Sequence, residues 1–228
     1  STRSVGRQGI NDWSPEIENK KIIDGCISNT YDSRHLIVLD EDGNVWTCGR
    51  NENGQLGYSA NNTNNPNLRC ISDMLLPITK GKKIISVSAG DRHSAALDED
   101  GKVYLWGRND SGELGNGTTN STHNAICLTD YNNSELYGKK IEKVEAGYNM
   151  TLVVDSEGRI YTCGDDYCGQ LGQGNIKADS LEMKCINRLI DFIPKDISVG
   201  PNYDVIAIDT KGEMWAWGDC QYNKNGLT

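Results

Sequence analysis

The sequence predicts an all-β fold, a propeller of about four four-stranded blades, built either as a small closed ring or as a segment of a larger one. Three observations carry that expectation. A motif recurs four times, with its turn glycines Gly43, Gly101, Gly158 and Gly212 standing 58, 57 and 54 residues apart. The chain holds 25 Gly against 5 Pro and a single Phe, which is the signature of many tight turns joining short strands. Each repeat also alternates short β-prone apolar runs with Asp-x-x-Gly turns, and no helical period runs through them.

The elements of one repeat follow in order. An inner strand is read from Lys82-Lys83-Ile84-Ile85-Ser86-Val87-Ser88-Ala89-Gly90 and from Lys139-Lys140-Ile141-Glu142-Lys143-Val144-Glu145-Ala146-Gly147. A second strand such as Leu36 to Leu39 meets the turn Asp40-Glu41-Asp42-Gly43, where glycine supplies the positive φ that a hairpin needs. The third strand alternates, as in Asn44-Val45-Trp46-Thr47-Cys48, and leads into a Gly-x-Leu-Gly loop. A fourth, more variable strand falls around Leu68 to Ile71, Ala125 to Leu128 and Met183 to Ile186. A unit of about 57 residues with four strands cannot bury its own faces, so neighbours must stack as blades. The repeats span approximately 22–80, 81–137, 138–192 and 193–228 within a single domain. Residues 1–21 read as the outer part of a blade and 219–228 as the start of one, so the ends are expected to complete a blade between them and remove sheet edges.

Composition narrows the function. The 228 residues are 36% hydrophobic and 24% charged, and 32 acidic against 23 basic side chains give a formal charge of -9. That balance argues against direct nucleic-acid binding, which rests on cationic surface. No apolar run approaches the roughly 20 residues that span a bilayer, so no membrane insertion is expected. Ser1 to Arg7 lack the apolar stretch of a signal peptide, and the absence of an initial Met raises the expectation of a trimmed N-terminus.

Chemistry-bearing residues fall on repeat positions. Cys48 and Cys163 stand where Trp106 and Trp217 stand in the other repeats, and Cys70, Cys127 and Cys185 share a second position. Repetition favours core packing for these five, with Cys26, Cys168 and Cys220 less constrained. There is no Cys-x-x-Cys and no His at zinc-finger spacing, so no metal is expected. Unpaired core thiols point to a reducing, intracellular and cytosolic setting, against which the Asn-x-Ser/Thr matches at Asn61, Asn116, Asn120, Asn132 and Asn149 weigh little. Asp40-Glu41-Asp42-Gly43 and Asp98-Glu99-Asp100-Gly101 read as hairpin turns and not calcium loops, and Gly169-Gln170-Leu171-Gly172-Gln173-Gly174 as a blade loop and not a phosphate cradle. With three His and no nucleophile motif, no catalytic residue and no cofactor are expected.

The fullest repeat reads Ala89-Gly90-Asp91-Arg92-His93-Ser94, Asp100-Gly101, Val103-Tyr104-Leu105-Trp106-Gly107 and Asn109-Asp110-Ser111-Gly112-Glu113-Leu114-Gly115. These residues resemble the regulator-of-chromosome-condensation repeat family, and the resemblance covers most of 22–218. It implies a propeller that binds proteins. The founding member is a seven-bladed exchange factor for the small GTPase Ran, and relatives include plant ultraviolet receptors, ubiquitin-ligase modules and bacterial effectors; for an effector the setting would be the host cytosol. In the exchange factor one His at the position of His35 and His93 and one Asp just before another belong to the GTPase-contacting surface. Here Arg34, Arg92, Asn149 and Tyr203 precede the position, so the Asp half of that match is missing. The other reading of His35 and His93 is structural, as side chains that tie neighbouring backbone together. Asp91 fills the place of the light-sensing Trp of the plant receptors, so photoreception is not expected.

In a four-stranded blade the first-to-second and third-to-fourth connections share one face. That face is expected to hold Tyr31, Arg34, His35, Asp91, Arg92, His93, Tyr148, Asn149, Tyr203 and Asp204, together with the loops that begin at Arg50, Arg108 and Asp165. Arg and Tyr carry much of the energy at interface centres, so the partner-binding expectation falls here. Two functions follow: regulation or nucleotide exchange on a Ran-like GTPase, or non-catalytic scaffolding or inhibition of an unrelated protein.

Overall fold

Among the described residues the chain forms fifteen short strands, one eight-residue helix and two single 3-10 turns. The computed structural model describes residues 15–28, 34–58, 63–174, 178–187, 191–200 and 203–218. Three antiparallel sheets have four strands each in sequential order: β1 (Ile22–Ile27), β2 (His35–Asp40), β3 (Val45–Gly49) and β4 (Asn65–Cys70); β5 (Ile84–Ala89), β6 (His93–Asp98), β7 (Val103–Gly107) and β8 (Thr122–Cys127); β9 (Ile141–Ala146), β10 (Met150–Asp155), β11 (Ile160–Gly164) and β12 (Ser180–Cys185). The last sheet pairs β13 (Pro194–Val199), β14 (Asp204–Asp209) and β15 (Met214–Gly218), three strands among the described residues. These are the repeated blades that the sequence predicts, and the fourth strands lie where it placed them. The segments expected to complete a blade, 1–14 and 219–228, lie outside the described residues, as do Tyr31, Asn61 and Cys220.

The hairpins owe their shape to one side chain. Asp98 Oδ1 accepts from the N–H groups of Asp100 and Lys102, while Oδ2 accepts from Tyr104 Oη at 2.7 Å. Asp40, Asp155 and Asp209 repeat the arrangement with Trp46, Tyr161 and Trp215. These carboxylates are consumed by the turn, which is why the Asp-x-x-Gly motif recurs.

Successive blades pack through three apolar joints. Ile37, Leu39 and Val45 of the first blade meet Val87, Ala89, Ala96, Tyr104 and Trp106 of the second. Ala95, Leu97 and Val103 meet Val144, Val153, Tyr161 and Cys163. Met150, Leu152, Val154 and Ile160 meet Ile197, Val205, Ala207 and Trp217. Leu56, Leu114 and Leu171, the leucines of the Gly-x-Leu-Gly loops, are each buried in one joint. The inner strands converge on a cavity of about 90 Å3 lined by Cys26, Ser88, Asp91, Glu145, Tyr148 and Val199.

One element departs from the sequence reading. Residues Ser72–Thr79 form a helix, α1, between the first two blades, closed by Lys80 in the left-handed region, whose N–H donates to Leu76 O. Eight residues are too few to show a helical period, and Pro77 lies inside them. No helix among the described residues is long and apolar enough to cross a membrane. The described cysteines are all free thiols: Cys48, Cys127 and Cys163 are buried, and Cys70 and Cys185 of the fourth strands are half-buried. Burial pushes the Cys163 thiol far up, so it stays protonated and inert.

Candidate functional site

The face built from the first-to-second and third-to-fourth connections is held by the same backbone bond in three blades. Arg50 N donates to Arg34 O, Arg108 N to Arg92 O, and Asp165 N to Asn149 O. The close approach requires glycine: at Gly107, with φ +109°, an added Cβ would stand 2.6 Å from Arg92 O. Each third-to-fourth loop is folded around the side chain of its second residue. Asn51, Asn109 and Asp166 accept from the N–H of Leu56, Leu114 and Leu171, five residues on. Gln55, Glu113 and Gln170 then accept from Asn53, Ser111 and Cys168 N–H groups. Sequence similarity in these loops is therefore loop architecture.

His35 and His93 are 1% exposed, and each ties two blades together. The His35 Nε2 to Ser94 Oγ distance is 2.9 Å, and Ser94 Oγ donates to Gln55 O at 2.8 Å. The His93 Nε2 to Thr151 Oγ1 distance is 2.9 Å, and Thr151 Oγ1 donates to Glu113 O at 2.6 Å. A hydroxyl has one proton, already committed to the carbonyl, so Nε2–H is the donor in both pairs. Burial, and next the nearby His35, lowers the His93 pKa to about 3, so this ring is neutral at physiological pH. At the third joint Met150 and Val205 hold these two positions, and Trp217 Nε1 donates to Gln170 O at 2.9 Å.

The remaining expected residues, Asp91 apart, stay near the surface. Arg34 is exposed, whereas Arg92, Tyr148, Asn149, Tyr203 and Asp204 are half-buried. Asp91 is buried; it pairs with Arg92 Nε at 3.2 Å, and its N–H donates to the carbonyls of Gly147 and Tyr148 on the next blade. Arg108 Nη1 donates to Asn149 Oδ1 across the same joint, and the Tyr148 and Tyr203 rings meet edge-on at 4.9 Å across the following one. The structure thus gathers Arg92, Arg108, Tyr148, Asn149 and Tyr203 into one strip over three blades. Tyr203 has a φ of +67°, an uncommon conformation for a bulky residue. Burial, and next Tyr148 and Asp165, pushes its phenol up to about 12, so it remains a neutral donor.

Exposed Tyr167, two residues after Asp165 in the loop tied to Asn149, is not among the residues that the sequence singles out. The available signal is a departure from the repeat, because Tyr167 stands where Glu52 and Asp110 stand in the other loops. Among the described residues no group of three His, Cys, Asp or Glu is placed to hold a metal ion. The strip offers guanidinium, phenol and amide donors on a braced scaffold, which suits binding and includes no nucleophile–base pair.

Residues 42–97 and 100–154 match the family model described as "Regulator of chromosome condensation (RCC1) repeat", and a second model of the same description matches 84–113 and 141–170. A zebrafish (Danio rerio) protein called "Protein RCC2 homolog" is 26% identical over 96% of this chain and 47% of its own length. The human ubiquitin-protein ligase HERC2 is 29% identical over 85% of this chain and 4% of its own. Prp20p from Saccharomyces cerevisiae, whose structure was described with its binding to Gsp1p and histones, superposes with a TM-score of 0.74 at 24% identity, over 93% of this chain and 48% of that one. The chain thus spans about half the length of the zebrafish protein and of the yeast propeller.

Proposed function

Since the chain belongs to the regulator of chromosome condensation repeat family, we propose that it is a protein-interaction propeller whose partner is a small GTPase of the Ran type, bound through the strip of Arg92, Arg108, Tyr148, Asn149 and Tyr203. The observation that carries this reading is that strip: polar and aromatic side chains of three blades, linked across the joints and held on rigid loops. Half-buried Arg and Tyr on a fixed backbone lose little entropy when covered, the property of interface anchors. The binding of Gsp1p described for the yeast neighbour supports the choice of partner.

On this reading the protein regulates nucleotide exchange without acid–base chemistry. A propeller that binds the nucleotide-free GTPase more tightly than the loaded form shifts the GTPase towards release. An acceleration of 10³ corresponds to about 4 kcal/mol of such preference. The test is release of a fluorescent guanine nucleotide from loaded Ran, beside capture of nucleotide-free Ran. Acceleration lost in an Arg92→Ala/Tyr148→Ala variant that keeps its unfolding midpoint supports exchange at this strip; absence of both acceleration and capture overturns the GTPase reading.

A second reading, a scaffold or inhibitor without turnover, draws on two observations. His35 and His93 are spent on the blade joints, and no Asp precedes the His position in any repeat. It predicts capture of a partner through the strip with no effect on nucleotide release.

A further inference from the structure

The head of the third-to-fourth loop reverses its charge in the third blade. Strand pairing fixes the correspondence between blades, because Gly49 pairs with Asn65, Gly107 with Thr122 and Gly164 with Ser180. The two residues after each glycine and the one before its partner are therefore equivalent. They are Arg50, Asn51 and Asn64 in the first blade, Arg108, Asn109 and Ser121 in the second, and Asp165, Asp166 and Asp179 in the third. Two sets carry a single positive charge each, and the third carries only negative ones.

The first two sets close on themselves. Asn51 N donates to Asn64 Oδ1 and Asn109 N to Ser121 Oγ, while Asn51 and Asn109 Nδ2 donate to Tyr58 O and Thr118 O. Arg108 lies across the second joint, 3.0 Å from Asp110 Oδ2, 3.2 Å from Asn149 Oδ1 and 3.7 Å from Glu113 Oε1. The third set has no such closure. Asp166 Oδ1 takes the Leu171 N–H as Asn109 Oδ1 takes that of Leu114, but the second oxygen of a carboxylate has no proton to donate. Among the described residues no cation forms an ion pair with Asp165, Asp166 or Asp179. Burial first, and the neighbouring carboxylates after it, push the Asp165 and Asp166 carboxyls up.

A buried side chain faces the same place. Gln170 is 0% exposed; its Oε1 accepts from Cys168 N at 2.8 Å, and its Nε2 has no hydrogen-bond partner among the described residues. Its counterpart Glu113 accepts from Ser111 N through Oε2 and turns Oε1 to Arg108. Gln170 Nε2 is thus aimed at the place that the Arg108 guanidinium takes in the second blade, where the third blade has the shorter Asp165. Tyr167, whose N–H donates to Asp165 Oδ1 at 2.8 Å, adds an exposed aromatic ring.

We propose that this loop head is an arginine site: the guanidinium of a basic segment on the protein partner enters beside Asp165 and Asp179 and takes, in trans, the place that Arg108 holds in the second blade. The proposal rests on the reading of this face as partner-binding and gives that partner a chemistry. The site adjoins the strip, since Asp165 N donates to Asn149 O. A guanidinium fork can serve two carboxylates at once, and its plane suits the ring of Tyr167. A carbonyl of the same segment supplies the acceptor that Gln170 Nε2 lacks. A metal ion fits less well, because no three acidic groups among the described residues are placed to ligate one.

The test uses blocked fluorescent peptides in which Gly alternates with Arg, Lys or Glu, with anisotropy as the readout. The parent is compared with Asp165→Asn/Asp179→Asn and with Asp165→Arg/Asp166→Asn/Asp179→Ser, which gives the third loop the residues of the second. Asp42→Asn/Asp100→Asn, on the hairpin turns, removes the same charge as the first variant and serves as the control. The Arg peptide is expected to bind the parent and the control saturably, and the first variant at least about tenfold more weakly. The converted variant loses binding while its unfolding temperature stays at or above that of the parent. Equal affinity for the parent and the converted variant overturns the proposal, as does a Lys peptide that binds as tightly as the Arg peptide. So does stabilisation of the parent by calcium ions without binding of the Arg peptide, since the occupant would then be a metal. Capture of nucleotide-free Ran, measured alongside, separates the two readings. Ran capture without Arg-peptide binding defeats this site alone, and Arg-peptide binding without Ran capture defeats the GTPase reading alone.

Discussion

Thr151→Val tests how the blades are joined. The hydroxyl of Thr151 stands between two blades, 2.9 Å from His93 Nε2 and 2.6 Å from Glu113 O, and the residue is fully buried. Valine keeps the shape and removes both hydrogen bonds. Glu113 O retains Cys163 Sγ as a donor at 3.4 Å, so the carbonyl is only partly deprived. The His93 Nε2–H loses its acceptor in a buried site, at a cost of about 1–3 kcal/mol, and the lost bond to the carbonyl adds about 1 kcal/mol. With a urea slope of about 3 kcal/mol/M for a chain of this size, a total near 3 kcal/mol moves the midpoint down by about 1 M. The compensating variant follows from the third joint, where Met150 and Val205 occupy the two positions. Replacing both partners with apolar groups removes the orphaned donor, so His93→Met/Thr151→Val is expected to recover at least half of the loss. Urea unfolding followed by tryptophan fluorescence reads both variants. A Thr151→Val midpoint within 0.2 M (roughly the error of such a measurement) of the parent, or a double variant less stable than the single one, refutes the account of His93 as a joint residue.

Three further outcomes are expected. Because the His93 pKa falls from 6.5 to about 3 on folding, the unfolded chain binds the extra proton between those values; this contribution to stability is complete above pH 6.5 and is lost as pH falls towards 3, and His93→Met flattens that part of a urea-midpoint profile. Gly107→Ala, at a φ of +109° and 2.6 Å from Arg92 O, is expected to cost about 1–3 kcal/mol, seen as a fall of several degrees in thermal unfolding; an unchanged midpoint would show that the loop contact yields freely. Amide exchange is expected to be fastest in β13, β14 and β15, whose outward side chains are exposed, and weaker protection in β5, β6 and β7 than in that sheet would contradict the ranking.

The architecture was legible because every blade reuses the same local chemistry. Asp98 folding its own turn and receiving the Tyr104 hydroxyl is a contact within seven residues, so it leaves a short motif that can be counted along the chain. The leucine of Gly-x-Leu-Gly is fixed as firmly, since Asn109 must reach Leu114 N and the side chain must fill the joint. Helix α1 left no such trace, because one and a half apolar turns with a proline look like any loop. The role of the histidines was open for a different reason. His93 and Thr151 stand 58 residues apart, and only stacking of consecutive repeats brings them together. The repeat showed that the position mattered and was silent on which neighbour it served.

That distinction bears on how such a fold acquires a partner. Positions that recur, such as Asn51, Asn109 and Asp166 or His35 and His93, are consumed by loops and joints and have little left to offer a bound protein. The groups available on the face are those where the repeats disagree. Tyr167 replaces an acidic residue, and Tyr203 stands where Arg34 and Arg92 stand in the first two blades. The motif that identifies the family therefore fixes the scaffold, and on the proposed function specificity would fall to the irregular side chains between its recurring turns. Substituting Tyr148, Tyr167 or Tyr203 should accordingly alter partner capture with little loss of stability, whereas substituting the recurring His or Asn should lower stability first.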